Sequence, residues 1–105
     1  MNCLLIYHYN ILDAERIEEL GPLSLPIVEK YGGELVVASS VGRLEGSPFN
    51  HMVMYRFKSQ DVAQRFYESE ESRALSILRN QVTEGFVVFV PENGAAILKR
   101  NETSS

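Results

Sequence analysis

The strand-forming segments of this chain are apolar at odd and even positions alike. Leu4, Leu5, Ile6 and Tyr7 run together near the start, and Phe86 to Val90 is a solid apolar run closed by Pro91. Phe49 to Phe57 sets His51, Val53, Tyr55 and Phe57 against Asn50, Met52, Met54 and Arg56, so methionines stand where a solvated face would carry charge. A strand that is apolar on both alternating faces belongs in a sheet covered on both sides. Any fold for this chain has to supply that cover.

The helices available for the task are few. Asp13 is a good N-cap, with Glu15 in the first turn, and Leu12 and Ile17 have the spacing of a hydrophobic staple. Ile17, Leu20, Ile27 and Tyr31 share one face of the helix that follows. Gly21-Pro22 and Pro26 interrupt it, because proline lacks a backbone donor and clashes one turn back. The expectation is a kink near Gly21, or two pieces with Pro26 in the first turn of the second. Gly32-Gly33 ends it. Ser59 caps a second helix, which breaks near Glu68 and restarts at Ser69, with Ala74, Leu75 and Leu78 facing the core.

Strands are expected over Cys3 to Tyr9, Glu34 to Val41, Phe49 to Phe57 and Phe86 to Val90. Asn93-Gly94 is a turn signal, Ala95 to Leu98 a short edge strand, and residues 99–105 a polar tail after a single domain over 1–98. The order is β-α-β-β-α-β, a ferredoxin-like α+β arrangement with an antiparallel sheet and both helices on one face. That leaves the other face bare. Monomers rarely expose a contiguous apolar face of that size. A homodimer packing sheet face to sheet face is the expected solution. For 11.9 kDa the folded area is roughly 6,000 Å², enough to enclose one core and not two.

Charge and cysteine content exclude several function classes. Asp plus Glu number 14 and Lys plus Arg 10, a net charge of -4 with no basic cluster, so nucleic acid is not an expected partner. The single Cys3 cannot support a disulfide framework or a multi-cysteine metal site, and is read as a small buried hydrophobe. The first residues lack the basic leader of a signal peptide, and their apolar run ends at His8, too short to span a membrane. A soluble, cytoplasmic protein is expected, with no metal and no cofactor.

Three segments carry a family likeness. Tyr31-Gly32-Gly33-Glu34-Leu35, then Leu44-Glu45-Gly46, then Phe66-Tyr67-Glu68-Ser69-Glu70-Glu71-Ser72 running to Leu78-Arg79, resemble the family known as domain of unknown function 1330. The resemblance covers Leu4 to Val90 and implies a dimeric α+β barrel. It departs at Glu71-Ser72, where such sequences more often carry a proline-Glu-Tyr-like segment, so an aromatic that lines a pocket is missing here. The family brings no established activity. The wider dimeric α+β barrel group includes monooxygenases, isomerases and haem proteins that use a cleft between sheet and helices, which is analogy at the level of fold.

The catalytic candidates are His8 and Arg79. His8 is either a general base in a pocket or a hydrogen-bonded structural histidine. Arg79 ends a helix, where a cation complements the dipole; beside a cleft it would grip a carboxylate with its fork. Tyr31, Glu45, His51 and Tyr67 are the substrate-binding candidates. Each has a plainer role available: core tyrosines with satisfied hydroxyls, a solvated loop acid, a surface or interface histidine. Tyr55 is read alongside the other two tyrosines. The first and third strands are expected as parallel neighbours, which sets His8 and His51 roughly 10 Å or more apart. Arg56 is a dimer-interface ion pair or an anion binder in a pocket. Ser69 is a cap rather than a nucleophile, Glu70 and Glu71 are dipole partners, and Met52 and Met54 are interface packing. Gly42, Gly46 and Pro48 form no phosphate loop, since no Gly-Lys-Ser/Thr ending or helix follows. No motif supports haem.

Two functions fit these residues. One is a homodimer that binds or transforms a small anionic, aromatic or carbonyl compound in a cleft with His8, Arg79 and Tyr67 around it. The other is a non-catalytic dimeric interaction or regulatory module, favoured by the lack of any recognisable nucleophile-base pair, metal cluster or cofactor motif.

Overall fold

The computed structural model describes residues 1–92. The expected Asn93-Gly94 turn, the Ala95 to Leu98 strand and the polar tail lie outside the described residues. The elements are β1 (Cys3–Ile11), a short 3-10 turn (Arg16–Glu19), α1 (Leu20–Lys30), β2 (Glu34–Ser40), β3 (His51–Phe57), α2 (Gln60–Glu68), α3 (Glu70–Val82) and β4 (Thr83–Pro91). The four strands form one sheet in the order β2-β3-β1-β4. The ferredoxin-like α+β fold expected from the element order is the fold observed.

Every pairing in the sheet is antiparallel, including β1 with β3. This corrects the expectation of parallel neighbours. The helical crossover returns the chain to run β2 in the same direction as β1. The hairpin then inserts β3 between them, so β3 must run opposite to both. The late residues of β1 therefore meet the early residues of β3, and Tyr9 pairs directly with His51.

Local chemistry explains the element boundaries. The Asp13 carboxylate accepts from the backbone N–H groups of Glu15 and Arg16, at 3.1 and 3.0 Å, which starts the 3-10 turn. Leu12 stays exposed, so the staple does not close. The helical segment divides at Glu19–Leu20, beside Gly21. Pro22, not Pro26, falls in the first turn of α1, where the missing donor costs nothing; Pro26 sits inside the helix. At the other end Gly32 adopts φ 72°. Its N–H donates to the Glu29 carbonyl and that of Gly33 to Val28, both at 2.9 Å, which is the Schellman closure glycine permits. The Ser59 hydroxyl accepts from Val62 N–H and the Ser69 hydroxyl from Ser72 N–H, so α2 and α3 are two capped helices in series.

One face of the sheet carries the core. Cys3 and Leu5 of β1 and Tyr55 and Phe57 of β3 pack against Val28 of α1 and Ala63 and Phe66 of α2. The Phe57 and Phe66 rings lie 5.0 Å apart. Val28 is fully buried, while Ile27 and Tyr31 are half-buried and Ala74 is exposed, which shifts the apolar stripes of α1 and α3 from the expected residues. Burial pushes the Cys3 thiol above its ordinary value.

The opposite face has no helix on it among the described residues. Leu4, Ile6, Met52 and Met54 lie there by register, flanked by Phe86, Val88 and Val90 of β4 and Val37 of β2. The four flanking side chains are 39–47% exposed. Arg56 occupies the same face and bonds within its own chain to Glu34 and Glu92, at 3.2 and 2.8 Å. β2 is exposed along its whole length, and its register slips between Leu35 and Val37, leaving Val36 unopposed.

Candidate functional site

Between the covered face of the sheet and the helices lies a cavity of about 530 Å³. Alternation along the strands builds its floor. Tyr7 and Tyr9 follow Cys3 and Leu5 at every second position of β1, and Val53 and Tyr55 stand beside them on β3. Gly85 and Val87 of β4 continue the floor. The roof comes from Leu20 and Ser24 of α1, Phe66 and Tyr67 of α2, and Ser72, Leu75 and Arg79 along one side of α3.

Arg79 dominates the electrostatics. Its guanidinium carbon sits 5.2 Å from the centre of the Tyr7 ring and 5.9 Å from that of Tyr67. Among the described residues it makes no ion pair and no side-chain hydrogen bond. Among the described residues no Asp or Glu lines the cavity. In a chain of net charge -4 the cavity is thus a locally positive, aromatic space. Burial holds the Tyr7 phenol above its ordinary range, with the Arg79 cation opposing the shift, and burial also raises Tyr9 and Tyr55. These phenols therefore stay neutral hydrogen-bonding groups at neutral pH. The Ser72 hydroxyl is buried with no partner among the described residues, a polar atom on a wall of the cavity.

The structure divides the expected site residues. Arg79 and Tyr67 share the cavity, and Tyr55 joins them. Tyr31 lies outside it, packed edge-on against Phe66 at 5.9 Å. Glu45 stands on the exposed β2–β3 loop. His51 stacks on Tyr9 at 5.8 Å and does not line the cavity; its Nδ1 is buried without a partner among the described residues. His8 points to the other face of the sheet, away from Arg79, because it alternates with Tyr7 and Tyr9. His8 and His51 are not 10 Å apart as antiparallel strands bring them together: His8 Nδ1 lies 2.8 Å from the His51 carbonyl oxygen.

Tyr7, Tyr9 and Ser72 were not among the expected ligand-binding residues. The period-two spacing Cys3, Leu5, Tyr7, Tyr9 holds the signal for the two tyrosines, once Cys3 and Leu5 are placed inward. Nothing in sequence marks Ser72 beyond its position seven residues before Arg79, two helical turns along α3. Among the described residues no cluster of His, Cys, Asp or Glu is placed to hold a metal ion, and no helix is long and apolar enough to cross a membrane.

The model of the family described as Domain of unknown function (DUF1330) matches residues 2–93. No curated protein matches in sequence. Among solved structures, the chain resembles RPA0582, a protein of unknown function from Rhodopseudomonas palustris. The two are 13% identical with a TM-score of 0.69, over 85% of this chain and 80% of that one. It also resembles SnoaB, a cofactor-independent oxygenase from Streptomyces nogalater: 8% identity, TM-score 0.66, 88% of this chain and 93% of that one. A dimeric protein of unknown function and ferredoxin-like fold from Bacteroides fragilis matches at 11% identity and TM-score 0.52, over 85% and 94%. Identities this low speak to the fold alone.

Proposed function

Since this chain belongs to the DUF1330 family, a domain of unknown function, its role has to be read from its own cavity, and we propose that it binds a small anionic aromatic or carbonyl compound there. The observation that carries this reading is Arg79. A guanidinium between two tyrosine rings, with no acidic partner and no carboxylate in the cavity among the described residues, suits a planar anion. The aromatic walls suit the rest of such a molecule, and the volume lies within the usual range for ligand pockets. SnoaB, with the same fold, is an oxygenase; that supports an architecture able to hold small-molecule chemistry and transfers no residue to this chain.

The test is calorimetric titration with 2-naphthoate and its neutral amide. The naphthoate is expected to bind more tightly than the amide. Arg79→Met should weaken the naphthoate by roughly 10- to 100-fold, the loss of a charge-assisted hydrogen bond, and leave the amide unchanged. Equal affinities of naphthoate for both proteins would overturn the reading.

The bare sheet face supports a homodimer as the working unit. A second copy of the same apolar surface is the simplest cover for Met54, Ile6 and Val88, and a structural neighbour is described as dimeric. Light scattering should give twice 11.9 kDa, and Met54→Glu, placing a charge mid-face, should return the single-chain mass with the fold retained. A wild-type protein at 11.9 kDa in the micromolar range sinks the dimer.

A further inference from the structure

We propose that Ser47 is an acyl-accepting nucleophile activated by His8, in a site on the sheet face opposite the cavity. The two residues are 39 positions apart, and the antiparallel pairing of β1 with β3 joins them. His8 Nε2 lies 2.7 Å from Ser47 Oγ, and His8 Nδ1 lies 2.8 Å from the His51 carbonyl oxygen. A carbonyl oxygen can only accept, so Nδ1 carries the proton. In the neutral ring Nε2 then holds a lone pair, and the Ser47 hydroxyl donates to it. The alternative acceptor for that hydroxyl, the Phe49 carbonyl, is farther away at 3.4 Å.

This is the arrangement a serine nucleophile needs: hydroxyl, base, and a third group that fixes the tautomer of the base. The His51 carbonyl takes the orienting place that a carboxylate holds in other such sites. The Phe49 and Phe86 rings meet the imidazole edge-on at 5.4 and 5.5 Å, which confines its orientation. Phe49 N–H donates to Ser47 Oγ at 3.1 Å, which fixes the position of that oxygen beside His8 Nε2. His8 is only 9% exposed, whereas Ser47 is half-buried between exposed Gly46 and Pro48. The base is shielded, and Ser47 stands on the β2–β3 loop beyond the Tyr9–His51 end of the ladder, away from the mid-face residues Ile6, Met54 and Val88 that a second copy would cover.

The substrate class is an activated acyl ester. Ser47 Oγ adds to the carbonyl carbon, and the hydroxyl proton passes to His8 Nε2. The adduct expels the alcohol, which takes that proton as its bond to the acyl carbon breaks. Water then adds to the acyl-serine by the same route, and the carboxylic acid leaves with Ser47 restored. Hydrolysis therefore needs only ester and water.

The probe is p-nitrophenyl acetate, with peptide mass spectrometry to place the acetyl group. The expected result is acetylation at Ser47, absent in Ser47→Ala, and slowed about tenfold or more in His8→Gln. Acetyl groups on other residues with none on Ser47 would overturn the proposal. A folded His8→Gln that acetylates Ser47 at the wild-type rate would do the same. If His8→Gln does not fold, Ser47→Cys decides: iodoacetamide should alkylate position 47 faster than the same cysteine in the unfolded chain, because His8 promotes thiolate formation. Buried Cys3 should stay unreacted as the internal control. Alkylation at position 47 no faster than in the unfolded chain counts against the site.

Discussion

Gly85→Ala should destabilise the protein by about 3 kcal/mol or more, lowering Tm at ~4–8 °C per kcal/mol for a domain of this size. A Cβ at Gly85 would stand 2.1 Å from the His8 carbonyl oxygen and 2.6 Å from Tyr9 Cα. Both are backbone atoms of β1, a central strand held on both sides. No side-chain rotation relieves such a contact, so β4 has to move away from β1, weakening the ladder from Cys3–Pro91 to Ile11–Thr83. The cavity floor moves with it. Gly42→Ala is the matched comparison, because a Cβ there meets nothing within 4 Å and φ is not positive. Thermal denaturation of the two variants checks the claim. Similar melting temperatures for Gly85→Ala and wild type would show that the strands separate at no cost.

Phe57→Ala should cost about 3–5 kcal/mol, the range for removing a fully buried aromatic side chain. Phe57 is 1% exposed, lies against Phe66, and touches the site where Gly33 approaches. A Cβ on Gly33 would come within 2.5 Å of the Phe57 ring. Gly33→Ala alone is therefore a clash, and truncating Phe57 removes most of it. Urea denaturation of both single variants and the double variant should show the double less destabilised than the sum, by more than about 0.5 kcal/mol. Additive losses would mean that the ring does not rest on Gly33.

Much of the fold can be read locally. The Ser59 and Ser69 hydroxyls cap helices through bonds three residues away, and Gly32-Gly33 closes α1 through bonds of similar range. Short-range signals of this kind are visible in a chain before it folds. The apolar double faces of β1, β3 and β4 likewise show that one side of the sheet goes without a helix. The relative direction of β1 and β3 is different in kind, since it depends on where a hairpin inserts some forty residues later. Taken as parallel, those strands separate His8 from His51 and conceal the Ser47–His8 contact altogether. Antiparallel pairing brings His8 beside His51 and sets the loop that carries Ser47 at the same end of β1.

The candidate site was legible in proportion. Arg79 and Tyr67 stand on helices whose boundaries can be read, and the cavity contains both. His8 has apolar neighbours on both faces, so alternation alone gives it no inward direction. The inward direction is set by Cys3 and Leu5 meeting Val28 and Phe66, contacts made by distant segments. A helix interrupted by Pro22 and Pro26 offers no single phase from which to count, so its sequence points to Ile27 where the structure buries Val28.

The slipped register of β2 bears on how copies of this chain can join. An edge strand with a regular row of free amides and carbonyls is a template on which another molecule can add a strand, and another after that. Val36 breaks that row in the middle, so the β2 border is a poor template. Contact through the broad apolar face has the opposite property: it is used up when two copies meet, and it leaves nothing on which a third can grow. Repairing the slip by deleting Val36 would restore an unbroken border and, with it, a route to fibres.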